Sequence, residues 1–280
     1  MDEIDLRLAD GRILHAYDSA PGDDARLAVV WHHGTPNLGV PPEPLIEAGE
    51  WLGIRWISFD RPGYGGSTAA PGRTMSSVAA DLTTVLDTLG IGTFALVGYS
   101  GGGSFALASA AILRERVEAV TTFAAIAPYD AKGLDWYDGM VASGLASLHA
   151  AAAGRDAKVQ HETSGVEYDP EFTASDIAMF DGPWSWLGSI AGSNATPNGP
   201  DGVIDDDCSY VLDWGCDPTA IAAPTLLVHG TADGIIPCSH GKWLAANLPN
   251  AELELHDGLG HVSVLAHAEP ALEWIREQTG

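Results

Sequence analysis

A rhythm of short apolar runs constrains this chain more than any other feature. Leu27 to His32, Ile54 to Phe59, Phe94 to Gly98, Ala119 to Ile126 and Thr225 to Val228 are each continuous in apolar residues over about a strand's length. Runs of this kind mark strands covered on both faces. Between them lie segments with helical spacing. Ser76 to Leu89 places Val78, Leu82, Val85, Leu86 and Leu89 on one face and stops at Gly90. Ser104 to Leu113 is Ala-rich, Lys242 to Leu248 ends at Pro249, and Pro270 to Gln278 offers Leu272, Trp274 and Ile275 to a core. Strands alternating with helices predict an α/β fold, a mostly parallel twisted sheet flanked by helices. Two elements differ. Ile4, Leu6 and Leu8 alternate with polar residues, and Asp10-Gly11 turns the chain back into Arg12 to Tyr17, giving an antiparallel start. Glu252 to Leu255 alternates as an edge strand does.

The rhythm fails once. Residues 130–218 contain no convincing strand. Ala142 to Ala157 reads as one Ala-rich helix, Phe180 to Trp186 and Trp214 concentrate aromatic residues, and Gly192 to Gly202 is a Gly/Pro/Asn loop. The expected organisation is a core domain of residues 1–129 and 219–280, with 130–218 inserted as a helical cap above the sheet.

Chemistry enters at the third run. Gly98-Tyr99-Ser100-Gly101-Gly102 follows a buried strand and precedes a helix, the context that a G-x-S-x-G nucleophile requires. The turn is too tight for side chains at the flanking glycines, and it projects the serine hydroxyl. The helix behind it aims backbone N–H groups at developing negative charge. A serine hydroxyl needs a base and an acid that orients the base. Asp233, in His229-Gly230-Thr231-Ala232-Asp233-Gly234, follows the fifth run, and His261, in Gly258-Leu259-Gly260-His261, follows the last strand. Both sit at strand ends from which a loop reaches the top of the sheet. Asp130 is the rival acid, since it also ends a strand, whereas Asp257 is too near His261 in the chain. The two oxyanion donors expected are the Gly101 amide and the Thr35 amide in His33-Gly34-Thr35-Pro36, with Gly34 as the fallback. Pro36 has no N–H to give and biases Thr35 toward an extended backbone. His32 and His33 are expected to support this loop, and His229 to support the acid loop. Asp60-Arg61-Pro62-Gly63-Tyr64-Gly65-Gly66-Ser67 is read as bracing for its neighbour.

Composition excludes other functions. The net charge is −25, with only Lys132, Lys158 and Lys242 as lysines. Such a surface repels nucleic acid and anionic membranes. No apolar stretch approaches the roughly 18 residues of a membrane helix. The acidic start, Met1 to Asp5, lacks a secretory pattern, so a cytoplasmic protein is expected. Cys208, Cys216 and Cys238 form neither a disulfide framework nor a zinc spacing. Asp205-Asp206-Asp207, the densest acidic cluster, reads as a loop or helix start rather than a divalent-cation site; no metal is expected.

Taken together and in order, these motifs resemble the α/β-hydrolase superfamily along nearly the whole chain. The capped serine-hydrolase branch, with proline iminopeptidases, carboxylesterases and epoxide hydrolases, is most similar. The resemblance implies Ser100, Asp233 and His261 as a catalytic triad, Gly101 and Thr35 as oxyanion donors, and no cofactor. Two departures narrow it. Epoxide hydrolases and haloalkane dehalogenases carry aspartate where this chain has Ser100. Proline iminopeptidases usually show a Gly-Gly-Pro-Gly type loop where this chain reads Gly34-Thr35-Pro36-Asn37. The expected reaction is hydrolysis of a neutral or hydrophobic carboxylic ester, lactone or small amide through an acyl-Ser100. Gly34, Tyr99, Trp136, Tyr137, Met140, Met179, Phe180, Trp184 and Trp186 are the candidate lining of the substrate pocket. Three alternatives remain at this point: an iminopeptidase-like aminopeptidase, a cofactor-free perhydrolase or haloperoxidase-like enzyme, and a non-hydrolytic receptor for a small ligand. The residues leave the oligomeric state open.

Overall fold

The apolar runs pair into a single sheet of eight strands: β1 (Asp2–Arg7), β2 (Ile13–Asp18), β3 (Leu27–His32), β4 (Ile54–Phe59), β5 (Phe94–Tyr99), β6 (Val117–Phe123), β7 (Thr225–Gly230) and β8 (Ala251–His256). Their spatial order is β1-β2-β4-β3-β5-β6-β7-β8, and only β2 runs against the rest. The computed structural model describes residues 1–280.

Ten helices complete the fold. They are α1 (Ile46–Trp51), α2 (Met75–Thr88), α3 (Gly101–Leu113), α4 (Ala142–Ala152), α5 (Arg155–Thr163), α6 (Ala174–Met179), α7 (Trp186–Ile190), α8 (Asp201–Tyr210), α9 (Ser239–Asn247) and α10 (Ala268–Gln278).

Successive strand residues point to opposite faces, and here both faces are covered. Val30, Ile57, Phe94 and Leu96 pack into one core with α2, α3 and α9, while Val29, Trp31, Ala95 and Val97 pack into the other with α10. This explains why the runs are continuous rather than alternating. Each buried Val, Leu or Ile contributes about 1.5–3 kcal/mol, and truncating the fully buried Leu96 to Ala should cost about 2–5 kcal/mol. The terminal strands β1 and β8 are half exposed, which explains their alternation.

The chain between β6 and β7 contributes α4 to α8 and no strand to the sheet. Several local expectations change, in this segment and outside it. The single helix over Ala142 to Ala157 is divided into α4 and α5 at Gly154, whose φ of 111° is closed to other residues. Strand β6 ends at Phe123 rather than Ile126, because Ala124 takes a φ of 52°. Helix α1 had no signal in the apolar spacing. Asp205, Asp206 and Asp207 are neither a loop nor a helix start. They lie inside α8 and are buried, because basic partners from distant segments meet them there.

Candidate active site

The C-terminal ends of the parallel strands gather the chemistry-bearing residues along one rim, as open α/β sheets do. Ser100 directly follows β5 and precedes α3. Its backbone sits at φ 57°, ψ −131°, a conformation rare for a side-chain-bearing residue and held by surrounding structure. The Ser100 amide donates to the Phe123 carbonyl at 2.8 Å, fastening the turn to β6. A Cβ on Gly98 would stand 2.5 Å from the Gly102 carbonyl oxygen, and one on Gly102 would collide with the His32 backbone. The flanking glycines are thus required by close approach of backbone to backbone.

Two further strand ends bring their residues to Ser100. His261 Nε2 lies 2.9 Å from Ser100 Oγ, and His261 Nδ1 lies 2.8 Å from Asp233 Oδ2. All three residues are buried. The second oxygen of Asp233 accepts from the Ile235 and Ile236 amides, both at 2.9 Å, so the carboxylate is fixed before it meets the imidazole. His229 braces the same loop: its Nε2 hydrogen bonds to the Ile236 carbonyl at 2.7 Å, which requires a proton on that nitrogen. Burial lowers the His229 pKa and favours the neutral ring. The rival Asp130 is exposed in a turn after β6, with no hydrogen bond to His261, and Asp257 instead accepts from Thr231 at 3.0 Å.

The Thr35 loop is clamped from two sides. His33 Nε2 accepts from the Arg61 amide at 3.1 Å, which leaves the proton on Nδ1 for the Gly34 carbonyl at 2.8 Å. Burial pushes the His33 pKa well below the ordinary histidine range, in keeping with this neutral ring. Arg61, fully buried, donates to the His33 carbonyl at 2.5 Å and to the Thr35 hydroxyl at 3.2 Å. Asp206 on α8 accepts from Arg61, Arg73, the Tyr64 hydroxyl and the Thr35 hydroxyl, each at 2.5 to 2.7 Å. Burial alone would raise this carboxyl, but Arg61 and Arg73 override it and hold it below the ordinary carboxylate range. Asp60 accepts from the Gly39 amide at 2.6 Å and the Gly66 amide at 2.9 Å, shaping the neighbouring loop. The Thr35–Pro36 peptide is cis, and the Thr35 amide has no acceptor within the protein.

A cavity of about 320 Å³ opens beside Ser100, bordered by Thr35, Gly101, Met140, Leu148, Tyr168 and Tyr210 among others. A second, of about 330 Å³, shares Thr35, Ser100 and Tyr168 with the first and adds Tyr99, Phe172, Phe180 and His261. Of the pocket residues read from the sequence, Tyr99, Met140 and Phe180 border these spaces. The others lie elsewhere. Trp136 is buried, with its indole N–H on the Ala127 carbonyl at 2.8 Å and its ring against His240. Tyr137 stacks on His149 at 4.2 Å. Trp184 and Trp186 are buried in the second core, and Met179 packs against it. Gly34 faces Tyr99 and Asn37, and its carbonyl accepts from His33 and Arg61. Large apolar rings are drawn into the cores, where they bury the most surface. Ser147, Glu162, Tyr168 and Asp207 border the first cavity, and no local pattern marks them because their neighbours are remote in the chain.

Asp176 was also illegible. At the start of α6 it accepts from the Val262 amide at 2.8 Å and the Ser263 amide at 2.7 Å, pinning the loop that carries His261. The structure contains no group of three or more His, Cys, Asp or Glu able to hold a metal ion, and no helix long and apolar enough to cross a membrane.

Comparison with known proteins agrees with this architecture. A family model described as alpha/beta hydrolase fold matches residues 28–268. A non-heme chloroperoxidase of Streptomyces lividans is 27% identical over 279 residues, covering 93% of this chain and 94% of that protein. A 2-hydroxy-6-oxononadienedioate/2-hydroxy-6-oxononatrienedioate hydrolase of Burkholderia vietnamiensis is 28% identical over 229 residues, covering 80% and 76%. Among solved structures, a hydrolase from Pseudomonas aeruginosa superposes with a TM-score of 0.73 at 18% identity, covering 100% of this chain and 98% of the other.

Proposed function

Because this chain belongs to the α/β-hydrolase family, we propose that it is a serine hydrolase that cleaves a carboxylic ester, lactone or small amide through an acyl-Ser100 intermediate. One observation carries the reading: Ser100 Oγ, His261 and Asp233 form a continuous hydrogen-bonded relay, at 2.9 and 2.8 Å, with Ser100 on the wall of two largely apolar cavities.

In this reading His261 Nε2 takes the Ser100 proton as Oγ attacks the substrate carbonyl carbon. Asp233 holds the proton on Nδ1 and stabilises the imidazolium. The carbonyl oxygen, now negative, turns toward the Gly101 and Thr35 amides; each such donor is worth about 3–4 kcal/mol at the transition state. His261 then gives its proton to the leaving oxygen or nitrogen. Water, deprotonated by the same imidazole, attacks the acyl-Ser100, and the tetrahedral adduct collapses to release the acid and restore Ser100. The helical segment 130–218 acts as a cap, closing over the cavities with Met140, Tyr168 and Phe180 and excluding bulk water. The preferred substrate is neutral or hydrophobic around its scissile carbonyl, as the largely apolar walls beside Ser100 favour.

A fluorophosphonate probe tests the nucleophile. Stoichiometric labelling that vanishes in Ser100→Ala is expected; labelling that persists in this variant overturns the assignment. A panel of p-nitrophenyl esters, lactones and amino-acid anilides tests the substrate class, and turnover of anilides alone overturns the ester preference. A second reading draws on the chloroperoxidase relative: hydrogen peroxide replaces water at the acyl-enzyme and leaves as a peracid. Bromination of a dimedone probe that requires both peroxide and bromide in acetate buffer, the peracetic acid oxidising bromide to hypobromous acid, and that is lost in Ser100→Ala, would identify that route.

A further inference from the structure

The two cavities meeting at Ser100 differ in chemistry, and His261 tells them apart. His261 borders the second cavity and not the first. The imidazolium must hand its proton to the departing atom, so the leaving group lies on the His261 side, against Phe172 and Phe180. The acyl group then extends the other way, past Gly101, into the first cavity.

That cavity is apolar along most of its wall but polar at one place. Helices α4, α5 and α8 bring Ser147, Glu162 and Asp207 to it. Behind them lies Lys158, with no exposure to solvent. Its ammonium contacts Ser147 Oγ, Glu162 Oε1 at 2.5 Å and Asp207 Oδ2 at 2.6 Å. Burial disfavours the Lys158 charge, but Asp207 and Glu162 outweigh it and raise the pKa. Ser147 also donates to Asp207 Oδ2 at 2.8 Å. Every partner of Asp207's carboxylate falls on Oδ2. Oδ1 has none in the protein, although the residue is only 8% exposed and borders the cavity. Oδ1 is thus not sealed in the protein: it keeps the little exposure this side chain has, 11%, and that exposure faces the cavity, where a ligand donor can reach it. Two carboxylates facing one ammonium also leave this wall with a surplus negative charge. Asp207 lies one helical turn before Tyr210, on the same face of α8, and the Tyr210 hydroxyl sits where a Cβ on Gly101 would be. One face of α8 thus reaches both the polar wall, through Asp207, and Gly101, through the Tyr210 hydroxyl.

We propose that the first cavity selects acyl groups with an apolar stem and a hydrogen-bond donor at the far end, a hydroxyl or an ammonium, received by Asp207 Oδ1 beside Glu162. This rests on the serine-hydrolase reading above. An acyl group ending in a carboxylate is rejected, because it adds a third anion to a wall with one cation.

The test uses p-nitrophenyl esters of straight acyl chains, butanoyl to octanoyl, ending in methyl, hydroxyl, ammonium or carboxylate. In the wild-type protein, kcat/KM at the best chain length should favour a hydroxyl or ammonium end over methyl by about tenfold, the effect of one buried hydrogen bond to a charged group. Carboxylate ends should be turned over least. Asp207→Asn should reduce an ammonium preference by about tenfold and a hydroxyl preference much less, which separates the two donors. Lys158→Met/Asp207→Leu replaces the ion pair with apolar volume, a change that folds tolerate, and should invert the preference toward methyl. The same preference should appear with a methylumbelliferyl leaving group. Methyl preferred at every length, a preference unmoved by the variants, or one that follows the alcohol instead overturns the acyl-end assignment alone. No turnover of any ester, together with no fluorophosphonate labelling of Ser100, overturns the hydrolase reading and this inference with it.

Discussion

Asp206 on α8 receives the Thr35 hydroxyl at 2.5 Å, joining two residues that are 171 positions apart in the chain. The bond ties α8 to the loop beside Ser100. Asp206 is also the common partner of the buried Arg61 and Arg73.

Removing this carboxylate strands two guanidinium groups. Asp206→Ala should cost about 3–5 kcal/mol, the usual effect of breaking a buried ion pair from one side. A urea midpoint at neutral pH measures it. A loss below about 1 kcal/mol would show that Asp206 is not the anchor of the Thr35 loop.

Asp233 should matter for turnover and little for folding. In Asp233→Asn the side-chain oxygen can still accept from the Ile235 and Ile236 amides, while the imidazole loses its anionic partner. The expected fall in kcat is on the order of 10⁴ with the melting temperature almost unchanged. Asp130→Asn should leave kcat as it was; the reverse pattern would make Asp130 the acid.

Acid sensitivity should begin in the histidine range. Burial holds His32 and His240 neutral, lowering them to about 3 and about 4. Both folded values lie below the unfolded value of about 6.5. The unfolded chain therefore binds protons first as pH falls. The stability these residues contribute is full above about pH 6.5 and drains away as pH drops through the folded values. Urea midpoints taken at falling pH should slope downward from near that point, and His240→Gln should have a shallower slope. Asp206, held low by its arginines, adds a second loss only below the ordinary carboxylate range. A flat profile down to about pH 4.5 would contradict the histidine assignment.

The glycines should divide by what surrounds them. Gly98→Ala places a methyl 2.5 Å from the Gly102 carbonyl oxygen and should cost at least about 1–3 kcal/mol or prevent soluble expression. Gly92→Ala meets nothing within 4 Å and should be neutral or stabilising by about 0.4–1 kcal/mol. Thermal melts of the pair decide it, and equal effects would remove the steric explanation.

Local chemistry was legible. The inner strands β3 to β7 follow from apolar runs, because residues covered on both faces need no polar alternation. Ser100 was visible because its turn demands glycines at fixed offsets, and Asp233 and His261 because each follows a strand. The break at Gly154 was not, since a helix of small residues reads the same with or without one glycine. The pocket was also misread where it relied on aromatic content: Trp136, Trp184 and Trp186 fill cores rather than cavity walls.

By itself the sequence determined what is encoded within a few residues: the strand rhythm, the turn at Ser100, and the side chains at the strand ends. Only the tertiary structure decided which of those side chains meet. It turned Asp205-Asp206-Asp207 from an acidic cluster in the chain into buried anchors for Arg155, Arg61, Arg73 and Lys158. The physical reason is desolvation. A carboxylate's partner can come from any distant segment, and burial makes that pairing compulsory without leaving a trace in the neighbouring residues.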